Sequence, residues 1–170
     1  VVKVDGYWVM SDLAKKIVSV SSLKKKLAGL RGTGQKIAFT NGCFDILHFG
    51  HVSYLNAAKK TGRILIVGLN SDDSVRRLKG LDRPVNGELD RAGVLAGLAS
   101  VDFIIIFGED TPYRLISELK PDVLIKGADW KGKEIVGADV VRQNGGKVEL
   151  IKYLDGLSTS NIVKKIKSHA

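Results

Sequence analysis

The chain of 170 residues contains a single cysteine, Cys43. No internal disulfide can form, and a reducing cytoplasm is the expected compartment. No apolar run approaches the roughly 20 residues that a membrane-spanning helix needs. No signal-peptide pattern opens the sequence either, so neither membrane insertion nor secretion is expected. Aromatic residues make up only 6% of the chain. With no basic tract interleaved with aromatics and no zinc-finger spacing, nucleic acid is not an expected partner, despite a formal net charge of +9. Solvated lysine on amphipathic helices accounts for part of that charge, as at Lys24-Lys25-Lys26 and Lys164-Lys165. The remainder suits a positive field that draws in polyphosphates. No Gly-x-Gly-x-x-Gly follows the first strand, which argues against a dinucleotide-binding oxidoreductase. Gly32-Thr33-Gly34-Gln35-Lys36 lacks the Gly-Lys-Ser/Thr ending of a P-loop and precedes a strand, so it reads as a turn.

What the sequence does hold is the composition of an ordinary folded domain, 44% hydrophobic and 26% charged. Short, β-branched-rich apolar runs at Ile37–Phe39, Ile64–Leu69, Phe103–Phe107, Val123–Ile125 and Val148–Ile151 read as strands covered on both faces. Helical patterns lie between and after them, at about 51–60, 72–78, 88–99, 112–119, 137–143 and 159–167. Another helix, capped by Ser21 or Ser22, runs through Leu23, Leu27 and Leu30. Repeated βα units predict an α/β, Rossmann-like, doubly wound parallel sheet of five strands, with ligands at the carboxyl ends of the strands. Residues 1–20 lack periodicity and read as an N-terminal extension, leaving 21–170 as the domain.

The most informative stretch is Thr40 to His51, T-N-G-C-F-D-I-L-H-F-G-H, at the carboxyl end of the first strand of that sheet. His48 and His51 flank Gly50 where a helix should begin. A helix N-terminus presents unpaired N–H groups and partial positive charge, and histidine there can donate to phosphoryl oxygens. Glycine lets a nucleotide approach the backbone. A zinc site is not expected, because the remaining histidine, His169, sits at the C-terminal end. Other signals gather along the same sheet edge. Lys79 is either a basic helix end or a loop cation facing a triphosphate. Arg91 follows Asp90 near a helix start, where a cation either calls for a specific partner or forms an ordinary Asp–Arg surface pair. Lys126-Gly127-Ala128-Asp129-Trp130 follows the fourth strand, and Ser158-Thr159-Ser160 opens the last helix as cap or phosphate cradle.

Taken together, His48-Phe49-Gly50-His51, Asn41-Gly42-Cys43-Phe44-Asp45 and Ser158-Thr159-Ser160 resemble the cytidylyltransferase-like nucleotidyltransferases, which share the HIGH-type fold. Asn70-Ser71-Asp72, Arg77-Leu78-Lys79-Gly80, Asp82-Arg83-Pro84-Val85-Asn86, Glu109-Asp110-Thr111-Pro112 and Lys126 to Trp130 narrow the resemblance to the adenylyltransferases of ADP-heptose synthesis. It runs from about residue 22 to 167. It implies transfer of AMP from ATP to D-glycero-D-manno-heptose 1-phosphate, with Mg2+ carried on the triphosphate and no protein-held metal, on the path to lipopolysaccharide core. It implies catalytic roles for His48, His51, Lys79 and Arg91. It places Asn41, Gly42, Cys43, Phe44, Lys126, Gly127, Asp129, Trp130, Ser158 and Thr159, with the histidines, around the nucleotide. Asp45, Asn70 and Lys79 fall on the acceptor side. Ala128 stands where a second glycine is usual and Ser160 where a threonine is common. Transfer of CMP to a polyol phosphate, transfer of AMP to flavin mononucleotide, and nucleotide binding without catalysis remain open as alternatives. A homodimer is a further expectation of the resemblance. With no kinase domain in the sequence, a stand-alone enzyme is expected, although Val1 in place of Met also suits a chain cut from a longer one.

Overall fold

The five β-branched-rich runs form one parallel sheet in the computed structural model, which describes all residues except 1, 5, 6, 10, 61, 153, 155 and 170. In chain order the elements begin with a short antiparallel pair, β1 (Val2–Val4) and β2 (Tyr7–Val9), then α1 (Ser11–Ala14) and α2 (Val20–Arg31). The repeating units follow: β3 (Lys36–Gly42), α3 (Phe49–Ala58), β4 (Arg63–Asn70), α4 (Asp72–Lys79), α5 (Glu88–Ala96) and β5 (Phe103–Phe107). Then come α6 (Tyr113–Leu119), β6 (Val123–Gly127), α7 (Ala138–Gln143), β7 (Lys147–Ile151) and α8 (Thr159–Lys167). Strand order is β5-β4-β3-β6-β7, so the chain winds outward from β3 in one direction and then crosses to the other side. That reversal is a topological switch point, where parallel α/β sheets open a crevice.

Burial on both faces explains the unbroken apolar runs. One face carries Ile37, Phe39, Ile66 and Leu124 against Leu23 and Leu27 of α2, Ile116 of α6 and Val141 of α7. The opposite face carries Ala38, Leu65, Val67 and Ile125 against Leu55 of α3 and Ala92 and Leu95 of α5. Gly68 makes room for the aromatic ring on its neighbouring strand, since a Cβ there would lie 2.8 Å from Phe39 Cζ. No described helix is long and apolar enough to cross a membrane.

Two features differ from the sequence reading. Ser19, not Ser21 or Ser22, caps α2: its side chain accepts from the Ser22 amide at 3.2 Å, the N-cap to N3 geometry that satisfies an orphan donor. The part of the extension before α2 is also tied to the domain. Ile17 forms a parallel bridge to Ile104 on the edge strand β5. The Ile104 amide donates to Lys16 O at 2.8 Å, and the Val18 amide donates to Ile104 O at 2.9 Å. Periodicity could not reveal this, because one bridged residue has no period.

Candidate active site

β3 and β6 share register at only two positions, Ala38↔Val123 and Phe39↔Leu124. Beyond them β3 stays with β4 as far as Gly42, and β6 stays with β7 as far as Gly127. The carboxyl ends therefore part, and a cleft of about 520 Å³ opens between and above them. Its size suits a small-molecule ligand.

The floor is the carboxyl end of β3 and the turn after it, where Asn41, Gly42, Cys43, Phe44 and Asp45 all line the cleft. Phe44 has φ +44°, a conformation uncommon for a bulky side chain and persistent only where its surroundings enforce it. Its ring packs over Gly42, where a Cβ would sit 3.1 Å from Phe44 Cε2, and lies 5.3 Å from the His51 ring centroid. Arg91 holds the turn from beneath: Nη1 donates to Cys43 O, Nε to Asn86 O at 3.0 Å, and Nη2 to Asp72 Oδ1 at 2.7 Å. Asp45 is likewise committed. It pairs with Arg83, and its Oδ1 accepts from the amides of Val85 and Asn86 at 2.8 and 3.0 Å. Burial raises the Cys43 thiol pKa despite the nearby cations of Lys79, Arg91 and Arg83, which keeps it protonated.

His48 is the N-cap residue of α3, with extended backbone and no side-chain cap. The helix start keeps its orphan donors for another partner. His48 and His51 stack with ring centroids 3.8 Å apart and an interplanar angle of 26°. Gly50 makes that stack possible, since a Cβ there would lie 3.0 Å from His48 Cε1 and Nδ1 and 3.3 Å from Leu157 Cβ. Both Nδ1 atoms are buried without a hydrogen-bond partner among the described residues. Burial, then the neighbouring His48, holds the His51 pKa down to about 4, and burial lowers that of His48 as well. Near neutral pH both rings are uncharged and poised to gain from an arriving anion.

On the β6 side, Lys126 is buried and donates to Asn41 Oδ1, with its ammonium 5.3 Å from the Trp130 ring centroid. Burial lowers its pKa to about 8, against the supporting charge of Asp129. Gly127 and Trp130 join it on the cleft wall. Asp129 lies in the 3-10 turn Ala128–Trp130, outside that wall, where it acts through Lys126. At α8, Thr159 and Ser160 line the cleft, and Thr159 Oγ1 donates to Ile46 O at 3.3 Å. Ser158 stands behind them, its hydroxyl accepting from the Asn161 amide at 3.1 Å as N-cap.

Across the cleft, Asn70 ends β4 and Lys79 ends α4. Lys79 closes a helix whose last turn is basic, and it also lines the cleft. Its neighbours Arg76, Arg77, Arg83 and Arg91 all hold carboxylate partners, whereas Lys79 has none among the described residues. The expected site residues therefore converge, with adjustments. Arg91 is buried below the cleft with its donors engaged, and Ser158 and Asp129 stand one layer back. Ser160 lines the cleft as part of the expected Ser158-Thr159-Ser160 cradle, and Arg83, Asp110 and Thr111 line it although the sequence reading placed them only in the motifs that carry the resemblance. For Asp110 and Thr111 position is a further signal, since they follow a strand at the same sheet edge. No three His, Cys, Asp or Glu side chains gather as a metal-binding group among the described residues.

Comparison with known proteins agrees with this geometry. Residues 39–165 match the family model described as cytidylyltransferase-like. Curated relatives include the bifunctional protein HldE of Campylobacter fetus subsp. fetus, 55% identical over 157 residues that make up 92% of this chain and 32% of the relative. The bifunctional protein HldE of Wolinella succinogenes is 57% identical over 152 residues, 89% of this chain and 31% of the relative. That of Campylobacter jejuni subsp. jejuni serotype O:6 is 59% identical over 156 residues, 92% and 32% respectively. The chain thus spans about a third of the length of the curated relatives it matches. Among solved structures, the lipopolysaccharide core biosynthesis protein from Thermoplasma volcanium aligns with a TM-score of 0.58 and 31% identity, over 71% of this chain and 98% of that one. A parallel sheet split at its switch point, a histidine pair at an uncapped helix start and a family match over most of its length together make this chain a member of the cytidylyltransferase-like family.

Proposed function

We propose that this domain transfers AMP from ATP to D-glycero-D-manno-heptose 1-phosphate, giving ADP-heptose and pyrophosphate. The observation that carries this reading is the stacked His48–His51 pair at the start of α3, whose two Nδ1 atoms have no hydrogen-bond partner among the described residues. The relatives point to the acceptor: one solved relative is named for lipopolysaccharide core biosynthesis, and the curated ones are named as bifunctional HldE proteins.

An oxygen of the sugar phosphate attacks the α-phosphorus of ATP, the bond to the bridging α,β oxygen breaks, and pyrophosphate leaves. The attacking phosphate has a second pKa of about 6 and is largely dianionic at neutral pH, so no general base is needed. The task is to bring two polyanions together and stabilise charge on the α-phosphate by positioned donors. His48 and His51 serve that centre, with the amides of Asn41 to Phe44 around the phosphates. Lys126, Gly127 and Trp130 border the nucleotide, Thr159 and Ser160 receive the β- and γ-phosphates, and Lys79 offers its ammonium across the cleft. Arg91 acts as a positioning residue through Cys43. Magnesium arrives with ATP as part of the substrate, held mainly by phosphate oxygens and water.

A panel of nucleotides and acceptor phosphates, read by pyrophosphate release, tests the proposal. Turnover is expected with ATP and the heptose phosphate. Turnover with CTP and glycerol 3-phosphate, or with ATP and flavin mononucleotide, and none with the heptose phosphate would overturn it. A homodimer belongs to the same reading, and sedimentation equilibrium would report it.

A further inference from the structure

The cleft has two limbs that differ in chemistry. The limb beside β6 and α8 presents Lys126, Trp130, Thr159 and Ser160, a cation, a ring and hydroxyls suited to a nucleotide. The limb beyond the ends of β4 and β5 presents Asn70, Lys79, Asp110 and Thr111. A carboxylate on the wall of a cleft built for polyanions repels phosphate, so its presence calls for an occupant that brings hydrogen-bond donors.

Asp110 is not a loosely placed surface acid. Its Oδ1 accepts from Arg77 Nε at 2.7 Å, and Arg77 Nη2 also donates to Gly108 O. A second tie fixes the same loop: Asn70 Nδ2 donates to Ser74 Oγ at 3.0 Å, and Ser74 Oγ donates to Glu109 O at 3.0 Å. The loop after β5 is thus clamped to α4 at two points. Asp110 Oδ2 and the Thr111 hydroxyl make no hydrogen bond among the described residues. Lys79 lies two residues beyond Arg77 on that same helix, with no carboxylate partner among the described residues.

From this arrangement we infer that the β4–β5 limb holds the polyhydroxyl part of the acceptor, with Asp110 and Thr111 as its specificity-determining residues and Lys79 on its phosphate. Asp110 Oδ2 accepts from sugar hydroxyls, Thr111 donates or accepts, and the occupant is a phosphate-bearing polyol. The inference rests on the nucleotidyl-transfer reading above and assigns the residues that select the acceptor.

The test is steady-state kinetics of the wild type, Asp110→Ala and Thr111→Val with ATP, using heptose 1-phosphate and the shorter mannose 1-phosphate as acceptors. Both variants are expected to raise the KM for heptose 1-phosphate at least tenfold and to narrow the preference between the two sugars, with the KM for ATP unchanged. Both residues are exposed, so the melting temperature should hold. Unaltered acceptor KM in both variants, or a parallel rise in the KM for ATP, overturns this assignment while leaving the transfer reaction standing. A wild type that releases no pyrophosphate with any sugar phosphate removes both readings together.

Discussion

The Lys126 ammonium donates to Asn41 Oδ1 across the gap where β3 and β6 no longer share backbone hydrogen bonds. Extending the register from Phe39↔Leu124 makes these two residues opposite numbers, so a side-chain bridge takes over where the ladder ends. The cation that spans the split also faces the cleft, and it is the group on that side whose pKa falls to about 8. kcat/KM for ATP reports ionisations of the free enzyme. It is expected to fall as pH rises through about 8, because the charged form is lost there. Lys126→Arg should move that alkaline limb beyond the measurable range. A limb of unchanged position in the variant would assign the ionisation to another group.

For the histidine pair, His51→Ala is expected to lower kcat by two or more orders of magnitude, or about 3 kcal/mol of lost transition-state stabilisation. Lys79→Ala should also cut the rate strongly without altering the melting temperature, since no ion pair among the described residues depends on it. Wild-type kinetics in either variant would remove that residue from the reaction.

Gly50→Ala isolates the stack from the imidazoles themselves. The added methyl would meet the His48 ring at 3.0 Å, so the ring must swing away. The fold should survive, because the half-buried His48 ring moves and the exposed Leu157, whose Cβ lies 3.3 Å from the added methyl, has only to give by a few tenths of an ångström, while kcat falls at least tenfold. Circular dichroism melting beside turnover measurements separates the two effects.

Arg91 gives the opposite signature. It is buried, with three donors on Cys43 O, Asn86 O and Asp72. Arg91→Ala leaves those acceptors unsatisfied and is expected to cost about 3–5 kcal/mol of stability. Arg91→Lys keeps the charge but cannot reproduce the planar fork, and it should recover only part of the loss. Denaturant unfolding that gives wild-type stability for Arg91→Ala would refute this bracing role.

Acid should weaken the fold through His51. Its folded pKa of about 4 lies below the unfolded value near 6.5, so the unfolded chain binds the proton first. The stability tied to the neutral ring is fully present above pH 6.5 and is lost as pH falls towards 4. His51→Gln should flatten the dependence of melting temperature on pH across that window. An identical profile in the variant would show that other groups carry the acid sensitivity.

The sheet was legible because each strand carries its own local signal. Phe103–Phe107 has the observed bounds, and Lys36–Gly42 grew from a shorter apolar core once its polar carboxyl end was included. The histidine motif was legible for the same reason: residues close in sequence build one helix start. Partnerships between distant residues were not. Arg91 called for a specific partner, but nothing in the sequence shows that Cys43 O and Asp72 converge on it. Asp45 looked like an acceptor contact, yet its carboxylate is occupied by the loop that carries Arg83, Val85 and Asn86. Which of Ser158, Thr159 and Ser160 caps α8 and which face the cleft was not legible either, because helix phase decides it.

The bridge from Ile17 to Ile104 reaches beyond the domain itself. β5 is the outermost strand on its side, and an open strand edge is a template on which a second molecule can add a strand. Lys16 and Val18 occupy the outward hydrogen bonds of Ile104 and cover the edge at that one position. The segment ahead of α2 therefore takes the place that an added strand would need there, and its removal is expected to leave Ile104 open to such pairing, far from the chemistry.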